Sequence, residues 1–231
     1  MAVILNIETA TKVCSVALAV NGSVQSIRES HVANSHSELI TIFSEEVIKE
    51  VGIGFHDLDA VAVSMGPGSY TGLRIGVSTA KGFCYAIDKP LIAVNTLHAM
   101  AAGMINLTGD DSFLVCPMID ARRMEVYAAV FDHSLKELKA TEAVIIDEHS
   151  FEDLLKDHKI LFAGDGAPKC KEVLSHQANA FFNDEFHPSA RHMAPLTEQK
   201  YDRKKFENVA YFEPFYLKDF VAGIPKVKGL R

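Results

Sequence analysis

The alternation of apolar and polar residues predicts three antiparallel strands at the start of the chain. Two apolar runs rich in β-branched residues, 2–7 and 13–20, precede a third run, 23–29, in which apolar and polar residues alternate. The pair Asn21-Gly22, between the second and third runs, is a typical hairpin turn. The chain is therefore expected to open with a three-stranded meander.

Helical spacing of apolar residues then predicts two helices, each of them next to a buried strand. Ser35 begins the first helix, where Glu38 would complete a capping box, and Gly52 ends it. The predicted elements are the helix 35–51, the strand 60–64, the helix 70–87 and the strand 91–95. The order β-β-β-α-β-α-β resembles a ribonuclease-H-like lobe, the building block of the actin, Hsp70 and sugar-kinase (ASKHA) superfamily.

The pattern is weaker in the second half of the chain. Short strands are predicted at 113–119, 125–131, 143–146, 160–163 and 180–182, with a short helix from residue 150 and another at 169–175. We expect an α/β protein of two ribonuclease-H-like or actin-like lobes, the second smaller and degenerate. The first lobe would span 1–105, the second 106–220, and a mobile tail 221–231.

A glycine-rich turn joins the strand 60–64 to the helix that follows it. Its residues are Gly66, Pro67, Gly68, Ser69, Tyr70, Thr71 and Gly72, followed by Leu73 and Arg74. A strand, a glycine turn and a helix start can direct backbone N–H groups at an anion. The spacing matches neither a P-loop nor a dinucleotide fingerprint. The alternative is a tight turn whose glycines let the helix pack close to the sheet.

Both helices of the first lobe carry a second face of small or apolar, uncharged residues beside the expected core face. These residues are Ser37, Thr41, Ser44 and Ile48 in the first helix and Gly72, Ile75, Thr79, Phe83 and Ala86 in the second. A surface helix of an ordinary monomer has one apolar face. The second face therefore suggests a partner chain, the alternative being a helix enclosed within its own domain.

Composition excludes several classes of protein. The formal net charge of −7 and the pI of about 5.8 argue against binding nucleic acid without a partner. No apolar run is long enough to span a bilayer, and the N-terminus does not resemble a signal peptide. The four cysteines lie far apart without a Cys-x-x-Cys pair, which is typical of buried thiols in a reducing compartment. We therefore expect a cytoplasmic protein.

Five stretches together resemble the TsaB family, bacterial tRNA threonylcarbamoyladenosine biosynthesis proteins also called YeaZ or glycoprotease-like. They are the ranges 66–76, 80–82, 89–95, 120–123 and 214–218. The resemblance is continuous over residues 1–105 and patchy to about residue 220. The signature of the glycine turn is shared with the catalytic paralogue TsaD.

The resemblance implies a non-catalytic subunit. Such proteins pair through first-lobe helices with TsaD, the threonylcarbamoyl transferase, and the pair works with the ATPase TsaE. The modified base is the adenosine beside the anticodon of tRNAs that read codons beginning with A, and tRNA would be contacted only through the complex. Without TsaD, the two small-residue faces would make the chain a homodimer. No cofactor, metal or membrane is implied.

Departures from the catalytic paralogue bear on the alternatives, an ATP-dependent phosphotransferase or a metallopeptidase of the same fold. Thr96 and Met100 occupy the positions of the paralogue's two metal-binding histidines, and neither suits such a site. His98 lies off that helix face and is expected to be a surface or capping histidine. Ala10 stands where a phosphate-binding hydroxyl is usual, which leaves Glu8 as the candidate carboxylate.

Overall fold

A computed structural model describes residues 2–32 and 35–218 of the chain, and it contains two five-stranded sheets. The first sheet has the strand order β3-β2-β1-β4-β5. Its strands are β1 (Val3–Glu8), β2 (Cys14–Val20), β3 (Ser23–Ser30), β4 (Ala60–Gly66) and β5 (Leu91–Asn95). Strands β1, β2 and β3 are antiparallel neighbours, whereas β4 and β5 run parallel to β1. The predicted meander is confirmed.

Helices cover both faces of the first sheet. The helices α1 (His36–Val51) and α2 (Tyr70–Ile87) pack on one face, where Ile40, Val47 and Val77 join the strand residues Leu5 and Val63 in one apolar cluster. The helix α3 (Thr96–Thr108) contributes to a separate cluster on the other face and also packs against the second sheet. Within the described ranges, no helix is long and apolar enough to cross a membrane.

The start of α1 differs from the sequence prediction. Ser35 is the N-cap residue, but no side-chain capping bond forms, and its hydroxyl instead donates to the Val32 carbonyl over 2.7 Å. The Glu38 amide donates to the backbone carbonyl of Ser35 at 3.1 Å. The predicted capping box is therefore wrong, because the preceding turn uses the serine hydroxyl. Gly52 ends the helix in the left-handed region with φ of 78°, as predicted.

The second sheet repeats the topology of the first. Its order is β10-β9-β6-β7-β8, with β6–β7–β8 antiparallel and β9 and β10 parallel to β6. The strands are β6 (Leu114–Asp120), β7 (Glu125–Phe131), β8 (Glu137–Ile145), β9 (Ile160–Ala163) and β10 (Ala180–Asn183), and the helices are α4 (Glu152–Leu155) and α5 (Ala167–Leu174). The predicted class, α/β with two actin-like lobes, is confirmed.

The last described part of the chain returns to the first lobe. A 3-10 turn (Ala190–Met193) and the helix α6 (Ala194–Asp202) place Met193 and Leu196 in the apolar cluster with Ile4 and Ile92. The predicted second lobe, 106–220, is therefore too long, because residues 190–202 within that range pack on the first lobe. The predicted mobile tail, 221–231, lies outside the described residues.

Candidate functional site

The glycine turn between β4 and α2 packs directly on the turn between β1 and β2. A Cβ atom on Gly68 would lie 2.4 Å from the Ala10 carbonyl oxygen, and one on Gly72 would lie 2.2 Å from that of Thr9. The Ser69 amide donates to Ala10 O at 2.7 Å. The two glycines are therefore required for close approach of α2 to the sheet, which favours the packing interpretation of the motif over an anion cradle.

Hydrogen bonds within the lobe use several groups at the start of α2. Ser69 is the N-cap residue, and its Oγ accepts from the Gly72 amide at 3.3 Å. The Thr9 hydroxyl donates to the Gly72 carbonyl over 2.8 Å. The amide and the carbonyl of Gly72 are thus hydrogen-bonded within the lobe and are not free for a ligand, although the turn still lines the cleft beside it.

A cleft of about 980 Å³ lies between the two lobes. The first lobe contributes Lys12 and the residues from Gly68 to Gly72, and the second contributes Arg122 and Arg123. These three cations form no ion pair with any residue that the structure describes. The two arginines hold left-handed backbone conformations, with φ of 70° and 49°. The sequence leaves two roles open for the arginines of the 120–123 turn, a salt bridge across the lobes or one to a partner, and within the described residues the first does not form.

Glu8 is enclosed beneath this cleft and does not line it. Its side chain is 1% exposed, and Oε1 accepts from the Ala10 amide at 2.6 Å and from the Ser64 hydroxyl at 2.8 Å. Its Oε2 atom is buried without a hydrogen-bond partner. Burial raises the pKa of the Glu8 carboxyl to about 7, although these hydrogen bonds oppose the shift.

The two positions compared with the paralogue's metal ligands are both buried. Thr96 is fully buried, and Met100 lies in the cluster that joins α3 to the second sheet. His98 stacks on Phe131 with ring centroids 5.2 Å apart, its Nε2 atom is buried without a partner, and burial lowers its pKa. The expectation of a surface or capping histidine is therefore wrong. Among the described residues, no group of three His, Cys, Asp or Glu side chains could hold a metal ion.

The small-residue faces of α1 and α2 are only partly exposed. Ser37, Thr41 and Ala86 are exposed, whereas Ile75, Thr79 and Phe83 are half-buried, Phe83 with its ring 5.1 Å from Phe55. Ser44, Ile48 and Gly72 are buried, and the Ser44 hydroxyl donates to Ile40 O at 2.7 Å. These last three residues cannot offer a surface in the folded chain, because α1, α2 and the β1–β2 turn cover them.

Two exposed residues of α2 were absent from the predicted partner surface. Tyr85 is 88% exposed, and a Cβ atom on Gly82 would have no neighbour within 4 Å. An exposed glycine in the middle of an 18-residue helix costs about 1 kcal/mol relative to alanine. That unexplained glycine was the signal in the sequence. Ser78 and Ala86 are exposed beside these two residues. We call the four positions Ser78, Gly82, Tyr85 and Ala86 the outer strip of α2.

The repeated strand order and the cleft between the lobes define an actin-like α/β protein. YeaZ from Pseudomonas aeruginosa has the same fold, with a TM-score of 0.81 at 23% identity over 94% of this chain and 100% of that one.

Sequence comparison identifies the family. The family model described as TsaD, tRNA N6-adenosine threonylcarbamoyltransferase, matches residues 26–226. The TsaB protein of Escherichia coli (strain K12), a tRNA threonylcarbamoyladenosine biosynthesis protein, is 32% identical over 95% of this chain and 96% of its own length. The Haemophilus influenzae protein of the same name is 29% identical over 94% of both chains. The chain belongs to the TsaB family.

Proposed function

We propose that this chain is a non-catalytic subunit of the machinery that forms N6-threonylcarbamoyladenosine in tRNAs reading codons beginning with A. It pairs with a TsaD-like transferase and works with a TsaE-like ATPase. Membership of a family named for tRNA threonylcarbamoyladenosine biosynthesis supports this role. The net charge of −7 supports contact with tRNA through the complex rather than by this chain alone.

The observation that carries the pairing is the outer strip of α2. Four neighbouring positions are exposed, uncharged and, apart from Tyr85, small. Ser37 and Thr41 are further exposed, uncharged positions on α1, which packs against α2. Small side chains leave room for another backbone, and an exposed tyrosine supplies the large contact area that is typical of binding hot spots. A second helical lobe of the same class fits such a surface.

The interior supports a subunit without its own chemistry. Glu8 is sealed from the cleft, Thr96 is fully buried, and Met100 packs in the apolar cluster of α3. An ATP-dependent phosphotransferase would need a carboxylate that reaches substrate, and a metallopeptidase would need metal ligands at those two positions.

The test of the pairing surface uses two exposed alanines. Ala86→Arg places a charge on the outer strip of α2, and Ala140→Arg places the same charge on β8 in the second lobe. Burying an unpaired charge at an interface costs several kcal/mol, so Ala86→Arg should weaken binding of the TsaD-like partner about a hundredfold or more. Ala140→Arg should bind normally. Calorimetry with the purified partner from the same organism measures both affinities.

A third variant separates binding from folding. Val77 is 3% exposed and lies in the first-lobe core, so Val77→Arg should unfold the lobe. If Ala86→Arg melts as early as Val77→Arg, the strip is internal. If it melts like the wild type and binds the partner with unchanged affinity, the pairing surface lies elsewhere and the proposal fails.

A further inference from the structure

The segment 207–218 runs from the first lobe along the interlobe cleft to the second lobe, and we call it the C-terminal strap. Its first part is tied to the first lobe. The Glu207 amide donates to Leu91 O on β5 at 2.9 Å. Lys81 on α2 donates to the carbonyls of Ala210 and Phe212 at 3.2 and 3.0 Å. This part is therefore held by both β5 and α2.

The middle of the strap crosses the glycine turn. The Phe215 amide donates to Met65 O at 2.7 Å, which places the strap against the end of β4. Gly66 has φ of 117°, and a Cβ atom there would lie 2.4 Å from Phe215 O. The Tyr216 ring packs on Tyr70, the first residue of α2, with centroids 5.0 Å apart. The first glycine of the motif thus makes room for the strap.

At its last described residue, the strap is joined to the second lobe by an ion pair. Lys218 bonds to the carboxylate of Glu125, the first residue of β7. Phe215, Tyr216, Leu217 and Lys218 line the cleft together with residues from both lobes. The Lys218 side chain is 40% exposed. A pair this exposed stabilises its geometry only weakly, unlike the backbone bonds at the other end of the strap.

We propose that the C-terminal strap is a latch that holds the interlobe cleft closed. In the latched state, Lys218 is paired with Glu125, and Tyr216 packs on Tyr70. In the open state, the ion pair breaks and residues 215–218 leave the glycine turn, while residues 207–212 stay on β5 and α2. Because Lys81 and Tyr70 both belong to α2, the latch also connects that helix mechanically to the second lobe.

Charge reversal with rescue tests the latch in the full-length protein. Lys218→Glu should release the end of the strap, and Lys218→Glu with Glu125→Lys should restore it. An exposed ion pair shifts the equilibrium between the latched and open states by up to about fivefold, and reversing the charge of Lys218 adds repulsion from Glu125. We therefore expect amide hydrogen exchange at Phe215 to accelerate about threefold to tenfold in the single variant and to return to the wild-type rate in the double variant. Exchange at Glu207 should stay unchanged in both.

A matched control is Lys205→Glu, because Lys205 is an exposed lysine near the strap without an ion pair among the described residues. It should leave the Phe215 exchange rate unchanged. A wild-type rate at Phe215 in Lys218→Glu, or a double variant as fast as the single one, would overturn the latch.

Cleft width provides a second readout. Thr71 and Arg123 are exposed on opposite walls of the cleft, and all four native cysteines are buried. Thr71→Cys and Arg123→Cys together accept a pair of spin labels. Lys218→Glu should lengthen or broaden the measured distance distribution, and the double charge swap should reverse that change. An unchanged distribution in the single variant contradicts the proposal.

Discussion

Glu8 is a carboxyl group that folding removes from water, and its protonation therefore affects stability. Its pKa rises from an ordinary 4.5 to about 7 in the folded chain, chiefly through burial. Between these values the folded chain holds a proton that the unfolded chain has released. The contribution of this group to stability is therefore fully present below about pH 4.5 and is lost as the pH rises through 7. The loss amounts to about 3 kcal/mol.

We predict that Glu8→Gln removes this loss. The amide is neutral at every pH, and its oxygen can accept the same bonds from the Ala10 amide and the Ser64 hydroxyl. The free energy of unfolding of the variant, relative to the wild type, should increase steadily from pH 4.5 to pH 8. Urea midpoints at several pH values measure the difference. A constant difference across that range would show that Glu8 does not titrate as described.

His192 is predicted to have the opposite effect. Its ring stacks on Phe186 and packs against Gly103, and burial lowers its pKa to about 4. Its neutral ring contributes stability that is present above about pH 6.5 and is lost as the pH falls through 4. The free energy of unfolding of His192→Phe, relative to that of the wild type, should therefore rise by about 2 kcal/mol as the pH falls from 7 to 4, allowing for partial exposure of the ring. Urea unfolding curves of both proteins at pH 7 and pH 4 measure the difference. A difference in unfolding free energy that is the same at the two pH values would contradict this assignment.

At the scale of single elements, the helix α2 shows what the sequence could predict. Its core face is as the periodicity indicated, since Leu73, Val77 and Cys84 are all buried. The division of its remaining surface could not be predicted, because α1 and the β1–β2 turn cover part of it through contacts between residues distant in sequence. Periodicity identifies an apolar face, but it does not say which neighbour covers a second one.

Glycine substitutions in α2 should separate surface from interior. Gly82→Ala removes the cost of an exposed glycine and should stabilise the isolated chain by about 1 kcal/mol. Gly76→Ala should destabilise it, because a Cβ atom there would lie 2.2 Å from the Thr9 hydroxyl oxygen. Thermal melts of both variants make the comparison.

Gly82→Ala also tests whether a partner contact explains a glycine at this exposed position. If a partner backbone approaches the outer strip of α2, Gly82→Ala should lower partner affinity while raising the melting temperature. A variant that gains stability and keeps full affinity would remove Gly82 from the contact.

Other elements show where local patterns end. The strand β8 spans Glu137–Ile145, although only its last residues were predicted, because its alternating exposure on a sheet edge dilutes the apolar pattern. The return of Met193 and Leu196 to the first sheet depends on contacts with residues near the start of the chain. No local pattern carries that information.

At the scale of the whole molecule, the outer strip of α2 predicts self-association. An exposed apolar and small-residue surface is more stable when covered, and a two-fold dimer would bury the same helices of both copies. Light scattering of the purified chain should show a dimer at high micromolar concentration, and Ala86→Arg should shift it to monomer. A wild-type chain that stays monomeric under those conditions would contradict the prediction.

The path of the chain through the two lobes also has a consequence for synthesis. All five strands of the second sheet come from one continuous stretch, whereas the first lobe needs the 3-10 turn and α6 from the end of the chain to cover one face. A chain emerging N-terminus first would present β1–β5 before Met193 and Leu196 are available to complete the cover over Ile4 and Ile92. The second lobe, made later, would finish folding before the first. A stop codon after residue 189 would therefore destabilise the first lobe, and chaperone binding to the nascent chain should be greatest before residues 190–202 leave the ribosome.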